Sequence, residues 1–141
     1  LEAWVRPTAI GNYRTVILKE TAGNLVYALY ASSAFGGSGV QRPSAWIFAD
    51  GLGPTTALPV NTWSHIATTY DRTNWRFYVN GVQVATRAYA PAIQTSTGAL
   101  RIGGNNIWAE WFAGQIDEVR VYDRALAVAE VVADRDKPVN P

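Results

Sequence analysis

The chain has no cysteine, no methionine and a single histidine in 141 residues. Without cysteine there is no thiol nucleophile, no thiolate metal site and no disulfide framework. A lone histidine builds no imidazole cluster, so nothing selects zinc. Neither sign of charge is in excess: Lys+Arg 12 against Asp+Glu 11 leaves a formal net charge of +1. With no basic run, this excludes the usual nucleic-acid binder, whose affinity rests on neutralising phosphates. No continuous apolar stretch is long enough to span a bilayer, and none has the form of a signal peptide, so membrane insertion is not expected. What the sequence does have is 48% hydrophobic and 12% aromatic residues within one domain's length. That suffices to bury a core without metals or disulfides.

Strand patterns dominate. Leu1, Ala3 and Val5 alternate with Glu2, Trp4 and Arg6 up to Pro7. Thr15 to Lys19 and Leu25 to Ala31 are β-branched and aromatic, with Gly23-Asn24 as the turn between them. Phe35 to Pro43 reads as a glycine-rich loop, Ser44 to Ala49 as a strand, and Asp50 to Pro54 as a break. Trp63 to Tyr70 and Trp75 to Val79 are two further strands. Asn80-Gly81 then sits between apolar runs, the pair that tolerates positive φ at both centres of a type I′ hairpin turn. Leu100 to Gly103 and Ile116 to Tyr122 complete the strands, and only Leu126 to Asp134 has helical spacing. The pattern predicts an all-β antiparallel sandwich with one short C-terminal helix, since no helices lie between strands to make parallel crossovers. Residues 1–136 form the expected domain, and 137–141, with two prolines in five residues, read as a linker.

The residues also carry a family resemblance. Leu1-Glu2-Ala3-Trp4-Val5-Arg6-Pro7, the strand Trp63-Ser64-His65-Ile66-Ala67-Thr68-Thr69-Tyr70-Asp71 and the hairpin Arg76-Phe77-Tyr78-Val79-Asn80-Gly81 resemble LamG-like jelly-roll domains of the concanavalin A-like lectin/glucanase superfamily. So does Gly114-Gln115-Ile116-Asp117-Glu118-Val119-Arg120-Val121-Tyr122-Asp123-Arg124-Ala125-Leu126, which matches that family's signature at every fixed position. Two departures stand out. Family members usually carry a further stretch before the first strand, which is not in this sequence. The chain therefore reads as a piece of something longer, and the strand from Leu1 to Pro7 is expected to lack a neighbour and to have its open edge filled by another chain, by a fragment of the parent or by a local rearrangement. Position 127 is Ala where the family usually has Ser or Thr, although Glu130 is kept, so half of a capping box is lost.

Catalysis finds little support in the residues. Hydrolases on this superfold use paired carboxylates flanking the glycosidic bond. Asp117 and Glu118 are adjacent, and adjacent strand residues point to opposite faces. His65 lies in an apolar strand and reads as structural. Asp117 shares its strand phase with Val119 and Val121, which predicts a carboxylate against the core. Backbone N–H groups, an arginine such as Arg101, or a structural Ca²⁺ would satisfy it. The candidate ligand site is the loop with Asn105, Asn106, Trp108, Glu110 and Trp111: tryptophans to stack on a sugar ring, amides and a carboxylate for its hydroxyls, and Gly103-Gly104 to admit it. The loop from Phe35 to Arg42 would form an opposing wall. The competing reading, favoured for such loops, is that Trp108 and Trp111 cover the end of the sandwich, as large aromatics usually do. Trp4, Trp63 and Trp75 read as core or sheet-surface residues.

The resemblance thus implies a non-catalytic adhesion or accessory module of a secreted or surface-attached bacterial protein. Carbohydrate is the first ligand class and protein the second. The alternative is a structural or protein-interaction module without glycan binding, and a hydrolase fragment is the third reading.

Overall fold

The computed structural model describes residues 1–37 and 39–137. The expected linker lies outside the described residues from position 138 onward, as does Ser38 of the glycine-rich loop. In chain order the strands are β1 (Glu2–Pro7), β2 (Arg14–Thr21), β3 (Asn24–Ser33), β4 (Arg42–Ile47), β5 (Asp50–Leu52), β6 (Ser64–Tyr70), β7 (Asn74–Val79), β8 (Val82–Ala88), β9 (Leu100–Ile102), β10 (Gly104–Asn105), β11 (Glu110–Trp111) and β12 (Gly114–Arg120), followed by α1 (Val128–Asp136). They form two five-stranded antiparallel sheets, ordered β12-β1-β6-β7-β8 and β5-β4-β3-β2-β9, plus the small β10-β11 ribbon. This is the jelly-roll β-sandwich expected of the resemblance.

The period-2 alternation of each strand explains the core. Ala3 and Val5 of β1, Ile66 of β6, and Trp75 and Phe77 of β7 point inward from the first sheet. Ile17, Leu29, Ala45 and Ile47 meet them from the second. Trp75 is buried, with its indole N–H donating to Thr68 Oγ1 at 2.8 Å. The hairpin at Asn80 and Gly81 forms as expected, with φ of 50° and 78° at the two turn residues.

Four expectations are corrected. First, β1 is not an edge. It pairs antiparallel with both β12 and β6, so Leu1 to Pro7 does not offer an unpaired ladder and the chain-pairing argument loses its site. Second, Asp117 does not face the core. Between the pairs Glu2↔Arg120 and Trp4↔Asp117, β12 carries one residue more than β1, a β-bulge with Glu118 at φ 52°. The bulge resets the phase, so Ile116 and Val119 face the core while Asp117 is exposed on the outward side, opposite Trp4. Third, Asp50 to Pro54 is not purely a break, because Asp50–Leu52 pairs with β4.

Fourth, the helix begins two residues later than its pattern predicts. It docks through Val131 with Leu126 just ahead of it, against Ala67 and Tyr78 on the outward face of the first sheet, while Ala129 and Ala133 are exposed. At its start Glu130 still accepts from the Ala127 N–H at 2.8 Å and holds Arg124, but Ala127 returns no side-chain acceptor. Among the described residues no helix is long and apolar enough to cross a membrane.

Candidate functional site

The sandwich core uses only one face of the second sheet. The other face is also apolar: Leu18, Leu25, Ala28 and Tyr30 are buried there, with Tyr13, Trp46 and Ile107 packed against them. The pairing places these residues side by side, since Leu18 and Trp46 both register with Ala28, and Tyr30 with Ser44. Tyr13 packs edge-on against Tyr30, with ring centroids 5.2 Å apart, and lies 6.1 Å from Trp46. Phe35 meets Trp46 edge to face at 6.0 Å. It rests over Gly51, where a Cβ would come within 2.7 Å of its ring. Trp46 is further held by its indole N–H, which donates to Ser44 Oγ at 2.9 Å.

The loop between β10 and β11 folds over one side of this aromatic floor. Asn105 is buried and fully employed. Its amide nitrogen donates to Thr15 Oγ1 and to Glu110 Oε2, both at 2.9 Å, and its Oδ1 accepts from the Trp108 backbone N–H at 3.0 Å. The Tyr30 hydroxyl donates to the same Glu110 oxygen at 3.0 Å. Burial first, and then the Glu110 charge, push the Tyr30 hydroxyl far above the usual phenol range, so it stays a donor. One Glu110 oxygen is thereby fixed by two donors.

Together these groups border an open hollow of about 420 Å³. It is lined by Tyr13, Tyr30 and Trp46 as floor, Trp108 and Glu110 on one side, and Asn24, Leu25, Phe48 and Ala49 on the other. That volume is in the range of small-ligand sites, whereas the cavity of about 160 Å³ beside Thr68, Thr69 and Tyr70 is below it.

Of the five expected ligand residues, two line the hollow: Trp108, 44% exposed, and Glu110. Asn105 is a scaffold for the loop. Asn106 is exposed and does not line the hollow, and Trp111 packs against Gly104, where a Cβ would come within 2.2 Å of its ring. From the expected opposing wall, Phe35 reaches Trp46.

Tyr13, Tyr30 and Trp46 were not legible as site residues. The available signal was the unbroken apolar run Leu25 to Ala31. In an antiparallel sandwich, such a run means a strand covered on both faces, and the second cover needs an explanation. Asp117 offers no assembled metal cage: its Oδ1 accepts from the Glu118 N–H at 2.8 Å, and Glu118 pairs with Arg120 at 2.9 Å. Among the described residues no three His, Asp or Glu converge to hold a metal ion.

Solved structures of similar shape include a candidate carbohydrate binding protein from Bacteroides ovatus, 22% identical with a TM-score of 0.77, over 93% of this chain and 38% of that one. Domain 4 of an extracellular arabinanase from Geobacillus stearothermophilus, in complex with arabinotriose, is 23% identical with a TM-score of 0.72, over 95% of this chain and 64% of that one. The carbohydrate-binding module of a Ruminococcus gnavus sialidase, bound to α2,3-sialyllactose, is 16% identical with a TM-score of 0.65, over 94% of this chain and 79% of that one. The chain thus spans less than two thirds of the first two, and at these identities the likeness is one of fold. No curated protein matches. A family model matches residues 1–132, and with the signature strands and the sandwich in place, the chain belongs to the concanavalin A-like lectin/glucanases superfamily.

Proposed function

We propose that this domain is a non-catalytic carbohydrate-binding module, and that its glycan lies in the hollow on the outward face of the second sheet. The carrying observation is the convergence of Trp108 and Glu110, from the β10-β11 loop, with the fixed aromatic floor of Tyr13, Tyr30 and Trp46. Flat aromatic faces stack on the apolar C–H side of a sugar ring, and a preoriented carboxylate accepts from its hydroxyls. Glu110 is the carboxylate of the lining, whereas cleaving a glycosidic bond needs a flanking pair. Among the described residues the lining has no lysine or arginine. A carboxylate without a cation disfavours sialic or uronic acids, so the ligand class is neutral glycans. Support comes also from two solved structures of similar fold, one in complex with arabinotriose and one bound to α2,3-sialyllactose, although the charge of this hollow fits the neutral sugar. An extracellular or cell-surface bacterial setting belongs to the same reading.

Isothermal titration against neutral arabino-, xylo- and gluco-oligosaccharides, with sialyllactose beside them, tests it. Millimolar to micromolar binding of a neutral oligosaccharide, abolished by Trp108→Ala in a folded protein, is expected. Binding that is unaffected by Trp108→Ala and Trp46→Ala would move the glycan away from this hollow, and binding absent from every glycan offered would instead favour the protein-interaction reading.

A further inference from the structure

The bulge in β12 creates a second hollow on the opposite side of the molecule. On the outward face of the first sheet, Trp4, Trp63, Asp117 and Glu118 line a depression of about 310 Å³. The pairing assembles it: Asp117, Trp4 and His65 stand in one row across β12, β1 and β6, and Trp63 precedes β6 on the same side as His65. Trp4 is locked in place. Its indole N–H donates to the Arg135 carbonyl at 3.2 Å, and its ring packs on His65 with centroids 5.5 Å apart. Trp63 is 39% exposed.

The charges at this hollow are unevenly matched. Glu118 is held by Arg120 at 2.9 Å. Arg6 donates to the Asn61 carbonyl and to Gln115 Oε1, and Arg135 is held by Asp136 and the Asn80 carbonyl. Burial drives the His65 pKa down to about 4, so the imidazole beneath Trp4 is neutral at pH 7. Asp117, by contrast, accepts one backbone N–H through Oδ1 and makes no ion pair among the described residues. A carboxylate with one oxygen to spare therefore stands beside two indoles in a shallow, largely apolar recess.

We propose that this hollow is a binding site for an alkylammonium group, either a free organic cation or the side-chain amine of a lysine. Indole faces attract cations through the ring quadrupole, and more strongly for tryptophan than for other aromatics. A neighbouring carboxylate adds Coulomb attraction. A hard metal ion would want a shell of oxygens, which two indoles do not supply. The site is independent of the glycan reading, because it occupies the other sheet's outward face and shares no residue with that hollow.

The test follows the indole N–H signals of the intact domain by ¹⁵N–¹H NMR during titration with tetramethylammonium, with neopentyl alcohol as the uncharged control of similar shape. Saturable shifts confined to Trp4 and Trp63, absent with neopentyl alcohol, are expected. Nα-acetyl-lysine methylamide, titrated beside tetramethylammonium, then tells a lysine side chain from a free quaternary cation by which binds more tightly. Asp117→Asn keeps the acceptor for the Glu118 N–H and should weaken cation binding about fivefold, with Trp63→Ala weakening it further. No saturable shift, equal shifts with the neutral control, or unchanged affinity in a folded Asp117→Asn protein would each overturn the proposal.

Discussion

Glu2 Oε2 lies 3.8 Å from His65 Nε2, with both side chains fully buried on the outward face of the first sheet and neither atom hydrogen-bonded among the described residues. This contact is not a strong ion pair. Burial raises the Glu2 carboxyl above its usual range, with Asp134 adding to the rise while Arg120 opposes it. Burial also drives His65 down to about 4, assisted by Arg120 and Arg135 against Asp134 and Asp136. The imidazole is neutral at pH 7, and Arg120, 3.3 Å from Glu2 Oε1, is the partner that holds the carboxylate.

Stability should therefore fall on mild acidification. The His65 pKa is lower folded than unfolded, so between pH 6.5 and about 4 the unfolded chain binds the extra proton and folding loses free energy as pH drops. The loss is on the order of 3 kcal/mol by pH 4. Glu2, with its pKa raised, works in the opposite sense above pH 4.5 and reduces it. Urea unfolding at pH 7.0, 5.5 and 4.5 should show the decline, and His65→Gln should flatten it. An equal slope in that variant would locate the effect elsewhere.

Arg120 is expected to be the most sensitive charged residue of the fold. Beyond Glu2 it binds Glu118, the Asp134 carbonyl and the Lys137 carbonyl, tying β12 to the end of α1. Arg120→Ala strands Glu2 in a buried site and should cost about 3–5 kcal/mol. Arg120→Lys should recover only part of this, since one ammonium does not reproduce a guanidinium fork. In a double-mutant cycle, adding Glu2→Gln to Arg120→Ala should cost less than the sum of the singles.

The β10-β11 loop should separate scaffold from site. Asn105→Ala removes three hydrogen bonds from a buried position and should destabilise by about 1–3 kcal/mol. Gly104→Ala forces the Trp111 ring away and should cost a similar amount. Trp108→Ala, at an exposed position, should leave the thermal midpoint within a degree or two and act on glycan binding alone. Thermal melts of the three variants, run beside glycan titrations, check the division.

Calcium should leave the melting temperature unchanged. Asp117 is exposed at the bulge, and its neighbour Glu118 is committed to Arg120. A ligand that binds only the folded state raises the midpoint with concentration. A midpoint that climbs with each decade of calcium after chelation would assign a metal site that Asp117 and Glu118 do not build by themselves.

The class of fold was legible because its signals are local. Alternation along β1 and β6, the positive-φ pair Asn80-Gly81 and the helical spacing near Val131 are properties of residues close together in the chain. The loop holding Trp108 and Glu110 was legible as a candidate site from its composition alone. Tertiary structure decided the rest. One extra residue in β12 opposite β1 turned Asp117 from the core to the surface, and strict alternation has no means of anticipating a bulge. Whether β1 is an edge depends on β6 and β12, some sixty and more than a hundred residues away in sequence. The aromatic hollow draws Tyr13, Tyr30, Trp46 and Trp108 from four separate segments. Periodicity assigns each side chain to one face of its own strand, but only strand pairing determines which faces lie side by side.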